Sequence, residues 1–213
     1  MPPLLSDEST FRLIFAALFL SVAAFRVHYH RKAGTFLERQ YTEAEGRLTA
    51  AFRGLLGVAF YIGVFAYVIS PEWMAWSALS LPVWLRWTGV GVGIVTVLLL
   101  FSVNHTLGRN FSTTLRIRKD HTLVTHGPYR RVRHPMYTVS LLMVAAAFLL
   151  SANLFVGTTG ILAMTLLIVV RTPNEEAQLI EQFGDQYREY MKHAGRFLPR
   201  LTRPRDQDRT GHD

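Results

Sequence analysis

Long apolar runs, with the charges confined to the stretches between them, decide what this chain can become. Five blocks read as membrane-crossing helices: Phe11–Val27, Leu48–Ile69, Val83–Val103, Met136–Leu150 and Leu154–Val170. A helix needs about 20 mostly apolar residues to cross the hydrocarbon. The first block and the last two are short of that and must borrow from their flanks. Only Ser151, Ala152 and Asn153 separate the last two, which predicts a tight antiparallel helical hairpin. Composition agrees, since only 18% of the 213 residues are charged, against about 25% in soluble domains. The expected fold class is all-α: a polytopic membrane bundle of about five transmembrane helices, followed by a cytoplasmic C-terminal helix.

The positive charge orients the bundle. Of 23 Lys and Arg residues, five lie in Arg26–Arg47, seven between the third and fourth blocks, and eight from Arg171 onward. Cytoplasmic loops collect Lys and Arg, so the N-terminus is expected outside and the C-terminus in the cytoplasm. Asp7 and Glu8 precede the first block and its bases follow it, which favours an uncleaved anchor over a signal peptide. Arg86, at the edge of the third block, is expected to snorkel to the headgroups. The bases flank apolar blocks rather than forming one patch, which argues against a nucleic-acid partner. With no cysteine there is neither a disulfide scaffold nor a thiol nucleophile. His28-Tyr29-His30 lacks a carboxylate at ligand spacing, so no metal site is expected and headgroup contact is the reading. Gly89, Gly91 and Gly93 are expected to let helices approach closely. The chain divides into N-terminal membrane helices (1–104), a second unit (105–200) and a disordered tail (201–213).

Two stretches carry chemistry. The first, His126-Gly127-Pro128-Tyr129-Arg130-Arg131-Val132-Arg133-His134-Pro135-Met136-Tyr137, leads into the fourth block. Gly127-Pro128 signals a turn, and Pro135 suits a first helical position. Arg133 and His134 would then stand at the positive end of a helix dipole, which is unfavourable unless an anion is bound there. The plainer reading is the usual basic collar of a membrane span. The second stretch is Arg171-Thr172-Pro173-Asn174-Glu175-Glu176. Thr172 as N-cap, Pro173 as first residue and Glu175 three after the cap complete a capping box. That predicts a new helix, broken from the fifth block, running to about Ala194 and closed by Gly195. Leu179, Ile180, Phe183, Tyr187, Tyr190 and Met191 would form its apolar stripe. Together the stretches offer arginines for a carboxylate, glutamates for an ammonium, and aromatic rings for a sulfonium.

The string Gly127-x-Tyr129-x-x-x-Arg133-His134-Pro135-x-Tyr137, then Arg171-x-x-x-Glu175-Glu176-x-x-Leu179, Phe183-Gly184-x-x-Tyr187-x-x-Tyr190 and Pro199, resembles the isoprenylcysteine carboxyl methyltransferase and phospholipid methyltransferase superfamily. The resemblance covers roughly residues 105–200. It implies an integral membrane methyltransferase that uses S-adenosylmethionine, with its site on the cytoplasmic side and a lipophilic acceptor entering from the bilayer. It implies further that Gly127, Tyr129, His134, Pro135, Tyr137, Glu175 and Glu176 form the cofactor site. Arg133 and Arg171 would hold carboxylates or orient the acceptor.

Methyl transfer from a sulfonium is an in-line displacement, in which alignment matters more than acid–base chemistry. A carboxylate acceptor needs no base, whereas an amine must lose a proton. The expectation is therefore a prenylcysteine-type carboxylate, with a phospholipid or a small amine or thiol as the alternative acceptor. A non-catalytic transporter or assembly factor is the alternative of another class. A transporter would normally place ionisable groups near mid-membrane, where only Arg53 is a candidate.

Overall fold

The computed structural model describes residues 8–33, 46–107 and 122–200. The connector bases Arg109, Arg116, Arg118 and Lys119 and the predicted disordered tail lie outside these residues. Six α-helices are described: α1 (Glu8–Ala33), α2 (Arg47–Ile69), α3 (Val83–Leu107), α4 (Pro135–Ser151), α5 (Leu154–Phe183) and α6 (Asp185–His193). Short 3₁₀ turns, Pro71–Ser77 and Gly127–Arg130, precede α3 and α4. The described residues contain no β-strand.

By length and composition, α1, α2, α3 and α5 are apolar enough to cross a membrane, while α4 is apolar but only 17 residues long. The five expected blocks are thus the five apolar helices. Their outward faces are hydrocarbon-like: Leu13, Leu20, Leu55, Ile62, Phe65, Leu98 and Leu162 are all exposed. An apolar surface of this extent is a liability in water and normal in lipid. Trp73, Trp76 and Trp84 are exposed together around the turn from α2 to α3, where an aromatic belt would meet the headgroups.

The helices share a core of Phe11, Phe15, Phe60, Val64, Tyr67, Val90, Val144, Ala147, Leu150 and Val156. Glycine permits the closest approach. A Cβ on Gly89 would stand 2.7 Å from the Leu149 Cβ, and one on Gly93 2.6 Å from a Leu18 methyl. Gly91 meets nothing within 4 Å, so the expected packing role falls to two of the three glycines. The α4–α5 hairpin turns through Ala152, in the left-handed region, and Asn153. Asn153 Oδ1 accepts from the Val156 N–H at 3.2 Å and from Ser77 Oγ at 3.0 Å, while its Nδ2 donates to the Met74 carbonyl. One amide therefore caps α5 and pins the hairpin to the 3₁₀ turn.

Arg86 does not snorkel. Its guanidinium is buried and donates to both Glu8 carboxylate oxygens at 2.6 and 2.9 Å, to Tyr67 Oη at 2.9 Å, and to the Leu150 carbonyl. It also lies 4.1 Å from the centre of the Phe11 ring. The Leu150 carbonyl is one of those left open at the C-terminus of α4. A position that looks like a span edge is thus a four-helix junction, because Glu8 supplies the counter-charge the local sequence does not show.

The second correction concerns α5. The helix does not break at Thr172; it runs 30 residues to Phe183 with Pro173 inside it. The capping box does not form. Proline in a helix removes one N–H and costs about 3 kcal/mol, but Asn174 Nδ2 donates back to the Val170 carbonyl at 3.0 Å, and the turns beyond are held by contacts described below. Thirty residues rise about 45 Å, against a hydrocarbon core of about 30 Å. α5 is therefore longer than the apolar layer is thick. The break comes instead at Gly184, whose φ of 53° suits only glycine well. Its N–H closes α5 on the Ile180 carbonyl at 2.8 Å.

Replacing Arg86 with Ala should lower stability in detergent by about 3 kcal/mol, since a buried partner set is left uncompensated. Glu8→Gln should cost about 1 kcal/mol, because Glu8 is half exposed and its charge partly screened. Thermal unfolding of the two variants checks the order.

Candidate active site

At the opposite end of the bundle from Arg86, the start of α4 meets the end of α5. Gly127 opens the turn before α4 with φ 58°, and a Cβ there would lie 2.7 Å from Thr106 Oγ1. The turn that follows buries Tyr129 against Leu100, Val103 and Val139. His134 caps α4 by position and Pro135 is its first residue, as expected. The N–H groups of Arg133 and His134 donate to the carbonyls of Gly195 and Arg196 at 2.8 and 3.0 Å, and the Gly195 N–H returns to the Arg131 carbonyl at 2.9 Å. Thr138 Oγ1 donates to the Phe197 carbonyl at 2.6 Å. Residues 195–198 are thereby strapped across the entry to α4.

Glu176 is the hub. It is buried on α5, and its Oε1 accepts from Arg133 Nε and Nη2 at 3.1 and 3.0 Å and faces His134 Nε2 at 3.2 Å. Its Oε2 accepts from Arg196 through both Nε and Nη2. Arg133 also donates through Nη1 to the Met191 and Ala194 carbonyls, closing the end of α6. Glu175, the neighbouring carboxylate, accepts from Tyr137 Oη at 2.7 Å and pairs with Arg171 Nη2 at 3.4 Å. His134 Nδ1 lies 3.6 Å from Glu175. One imidazole therefore lies between the two carboxylates, hydrogen-bonded to Glu176 alone. The Phe197 ring stands 6.1 Å from His134 and 6.3 Å from Tyr137.

The expected residues thus converge: Arg133, His134, Tyr137, Arg171, Glu175 and Glu176 form one cluster, with Pro135 setting the helix start. Gly127 and Tyr129 shape the approach, and Tyr190 Oη donates to the Tyr129 carbonyl. The fork of Arg133, expected to meet a ligand carboxylate, is occupied by a carboxylate of the chain itself. Arg196 and Phe197 escaped sequence reasoning. They follow the last helix, 20 residues from Glu176, and no local pattern joins them to it.

Burial holds the His134 pKa below its ordinary 6.5, assisted by the Arg133 and Arg196 charges and opposed by the hydrogen bond to Glu176. Burial likewise raises Tyr190, to about 12, so its hydroxyl stays a donor.

Fold and cluster define a class: a helical integral membrane protein with a polar, charge-rich site at one end of its bundle. The family model of the isoprenylcysteine carboxyl methyltransferase (ICMT) family matches residues 89–181. Methanethiol S-methyltransferase of Pseudomonas deceptionensis is 33% identical over 172 residues, 70% of this chain and 62% of that protein. Human protein-S-isoprenylcysteine O-methyltransferase is 32% identical over 126 residues, 58% of this chain and 44% of that protein. The cobalt-zinc-cadmium resistance protein CzcN of Cupriavidus metallidurans is 32% identical over 120 residues, 55% of each chain. The structure of the eukaryotic intramembrane Ras methyltransferase ICMT superposes with a TM-score of 0.54 at 21% identity, covering 87% of this chain and 67% of that one, and so shares the fold. The chain is thus similar to the isoprenylcysteine carboxyl methyltransferase family over residues 89–181. The matches span about half the length of these relatives, from 44% to 62%.

The direction of the His134 shift sets a pH dependence. With its folded pKa below 6.5, the unfolded chain takes up the proton first on acidification. Stability should be level above the ordinary histidine range and fall as pH drops through it. The groups facing the ring are Glu175, Glu176, Arg133 and Arg196. Thermal unfolding of wild type and His134→Gln between about pH 5.5 and 8 checks this, the variant showing the shallower slope.

Proposed function

We propose that the chain transfers a methyl group from S-adenosylmethionine to a lipophilic acceptor, foremost a prenylcysteine-type carboxylate, at the cytoplasmic membrane face. The observation that carries this is the single cluster uniting Glu175 and Glu176 of α5 with Arg133, His134 and Tyr137 at the start of α4. The similarity to the family and the activities named for the Pseudomonas and human relatives support it.

The residues fit the donor's chemistry. A sulfonium-bearing amino acid needs a cation for its carboxylate, a carboxylate for its ammonium and aromatic faces for its sulfur. The cluster supplies arginines, two glutamates, Tyr137 and Phe197. Two buried hydroxyls also lack a hydrogen-bond partner among the described residues: Thr172 Oγ1, one helical turn before Glu176, and Tyr187 Oη on α6. Buried polar atoms are rarely left unmatched, so they mark room for a polar ligand or its water.

When bound, S-adenosylmethionine supplies the electrophilic methyl group. The chain's own residues then align rather than activate. Glu175 and Glu176 accept hydrogen bonds from the ammonium end, with Tyr137 fixing the rotamer of Glu175. Arg133 positions Glu176 and ties it to the end of α6. Arg171, beside Glu175, orients the acceptor carboxylate. That acceptor is already anionic, so no proton need leave, and a neutral His134 donates its one N–H to Glu176. Holding the two reacting centres in line is worth about 7–11 kcal/mol in well-aligned systems.

A small thiol is the second reading for the acceptor. The methanethiol S-methyltransferase match extends over 70% of this chain, more than the 58% matched by the human O-methyltransferase. A thiol would have to lose its proton, and His134 is the base within the cluster.

Detergent-purified protein should bind labelled S-adenosylmethionine saturably. Glu176→Gln should weaken that binding by about 10-fold or more through loss of a charged partner, and Tyr137→Phe by a smaller factor. No saturable binding to the wild type would sink the proposal. Among products, methanol released by mild base marks an ester, and a base-stable methyl marks a thioether.

A further inference from the structure

Arg196 is the one guanidinium of the cluster that faces outward. Its side chain is 45% exposed, against 8% for Arg133 and 12% for Arg171. Its Nε and Nη2 grip Glu176 Oε2, while Nη1 has no hydrogen-bond partner among the described residues. The backbone beneath it cannot swing. The strap is fixed on both sides by the Arg133 N–H on the Gly195 carbonyl, the His134 N–H on the Arg196 carbonyl and Thr138 on the Phe197 carbonyl. A Cβ on Gly195 would collide with the Leu198 carbonyl, so the strap's turn requires glycine there. A half-exposed side chain is thus mounted on a hydrogen-bonded strap beside a buried carboxylate.

The charges are unequal. Three guanidinium groups, of Arg133, Arg171 and Arg196, meet two carboxylates, Glu175 and Glu176. One positive charge is in excess, and the exposed one can leave at least cost, because Glu176 keeps Arg133 and His134 on its other oxygen. An internal Arg–Glu pair has the charges of an amino-acid zwitterion in reverse. A zwitterion entering between them puts its carboxylate on the arginine and its ammonium on the glutamate, and every charge stays paired.

We infer that Arg196 is the donor-carboxylate receptor of the site: its ion pair with Glu176 opens to admit the α-amino-acid end of the methyl donor, carboxylate to Arg196 and ammonium to Glu176 Oε2. This rests on the methyltransferase reading and adds to it a residue and a specificity. The site selects donors that carry a free α-carboxylate.

The test uses full-length protein in detergent and two probes, S-adenosylmethionine and its decarboxylated analogue, which keeps the ammonium and sulfonium. Wild type should bind the intact donor about 10-fold or more tightly over the analogue, the range of a charge-assisted bond. Arg196→Gln should abolish that preference, chiefly by weakening the intact donor, and Arg196→Lys should restore part of it. A purely structural role would weaken both probes equally and leave the preference intact, which overturns the inference. So does a wild type without preference. A variant that keeps the preference but raises the acceptor KM assigns Arg196 to the acceptor and likewise overturns it. Wild type that binds neither probe overturns the methyltransferase reading and this inference with it.

Discussion

A carboxylate covered by protein beside a bilayer needs cations and donors around it, because burying an unpaired charge costs more than a fold can return. Glu176 meets that requirement with two guanidinium groups and an imidazole drawn from two places in the chain, Arg133-His134 and Arg196. Satisfying it fixes the entry to α4, the last turns of α5 and the strap at residues 195–198 in one arrangement. Arg133 extends the constraint to α6 through the Met191 and Ala194 carbonyls. The local geometry of the site follows from this one charge.

Arg86 is the same solution at the other end of the bundle. There a buried cation gathers Glu8, Tyr67 and the open carbonyl of Leu150. Between the two ion clusters the helices contact one another through aromatic rings, β-branched residues and close glycine approaches. In lipid the hydrophobic effect gives little drive for helix association, so packing and polar contacts carry more of it. Charged junctions at both ends of an apolar bundle lock the helices in register where apolar side chains alone would tolerate sliding.

The elements were largely legible. Five apolar runs became five apolar helices, and the turn after Ser151 became a hairpin, since length and hydropathy are local properties. The site was legible as a list, through the motif around Arg133-His134-Pro135 and the Glu175-Glu176 pair. What failed had a nonlocal cause. Thr172-Pro173 carries a sound local stop signal, but Glu175 and Glu176 are held by Arg133, His134 and Tyr137 at the entry to α4, and this anchoring accompanies the passage of α5 through the proline. The Phe183-Gly184-Asp185 step is the local signal for the true break.

Sequence alone determined that the chain is a helical membrane protein, which runs are apolar enough to cross the hydrocarbon, and which polar residues are too costly to bury without purpose. Only the tertiary structure decided who pairs with whom. Arg86 looked like a snorkelling edge residue until Glu8 stood beside it, Arg133 looked like a fork for a ligand until Glu176 filled it, and Arg196 carried no signal at all. Hydropathy is a property of a residue and its near neighbours, whereas the neutralisation of a buried charge depends on groups that only folding brings within 3 or 4 Å.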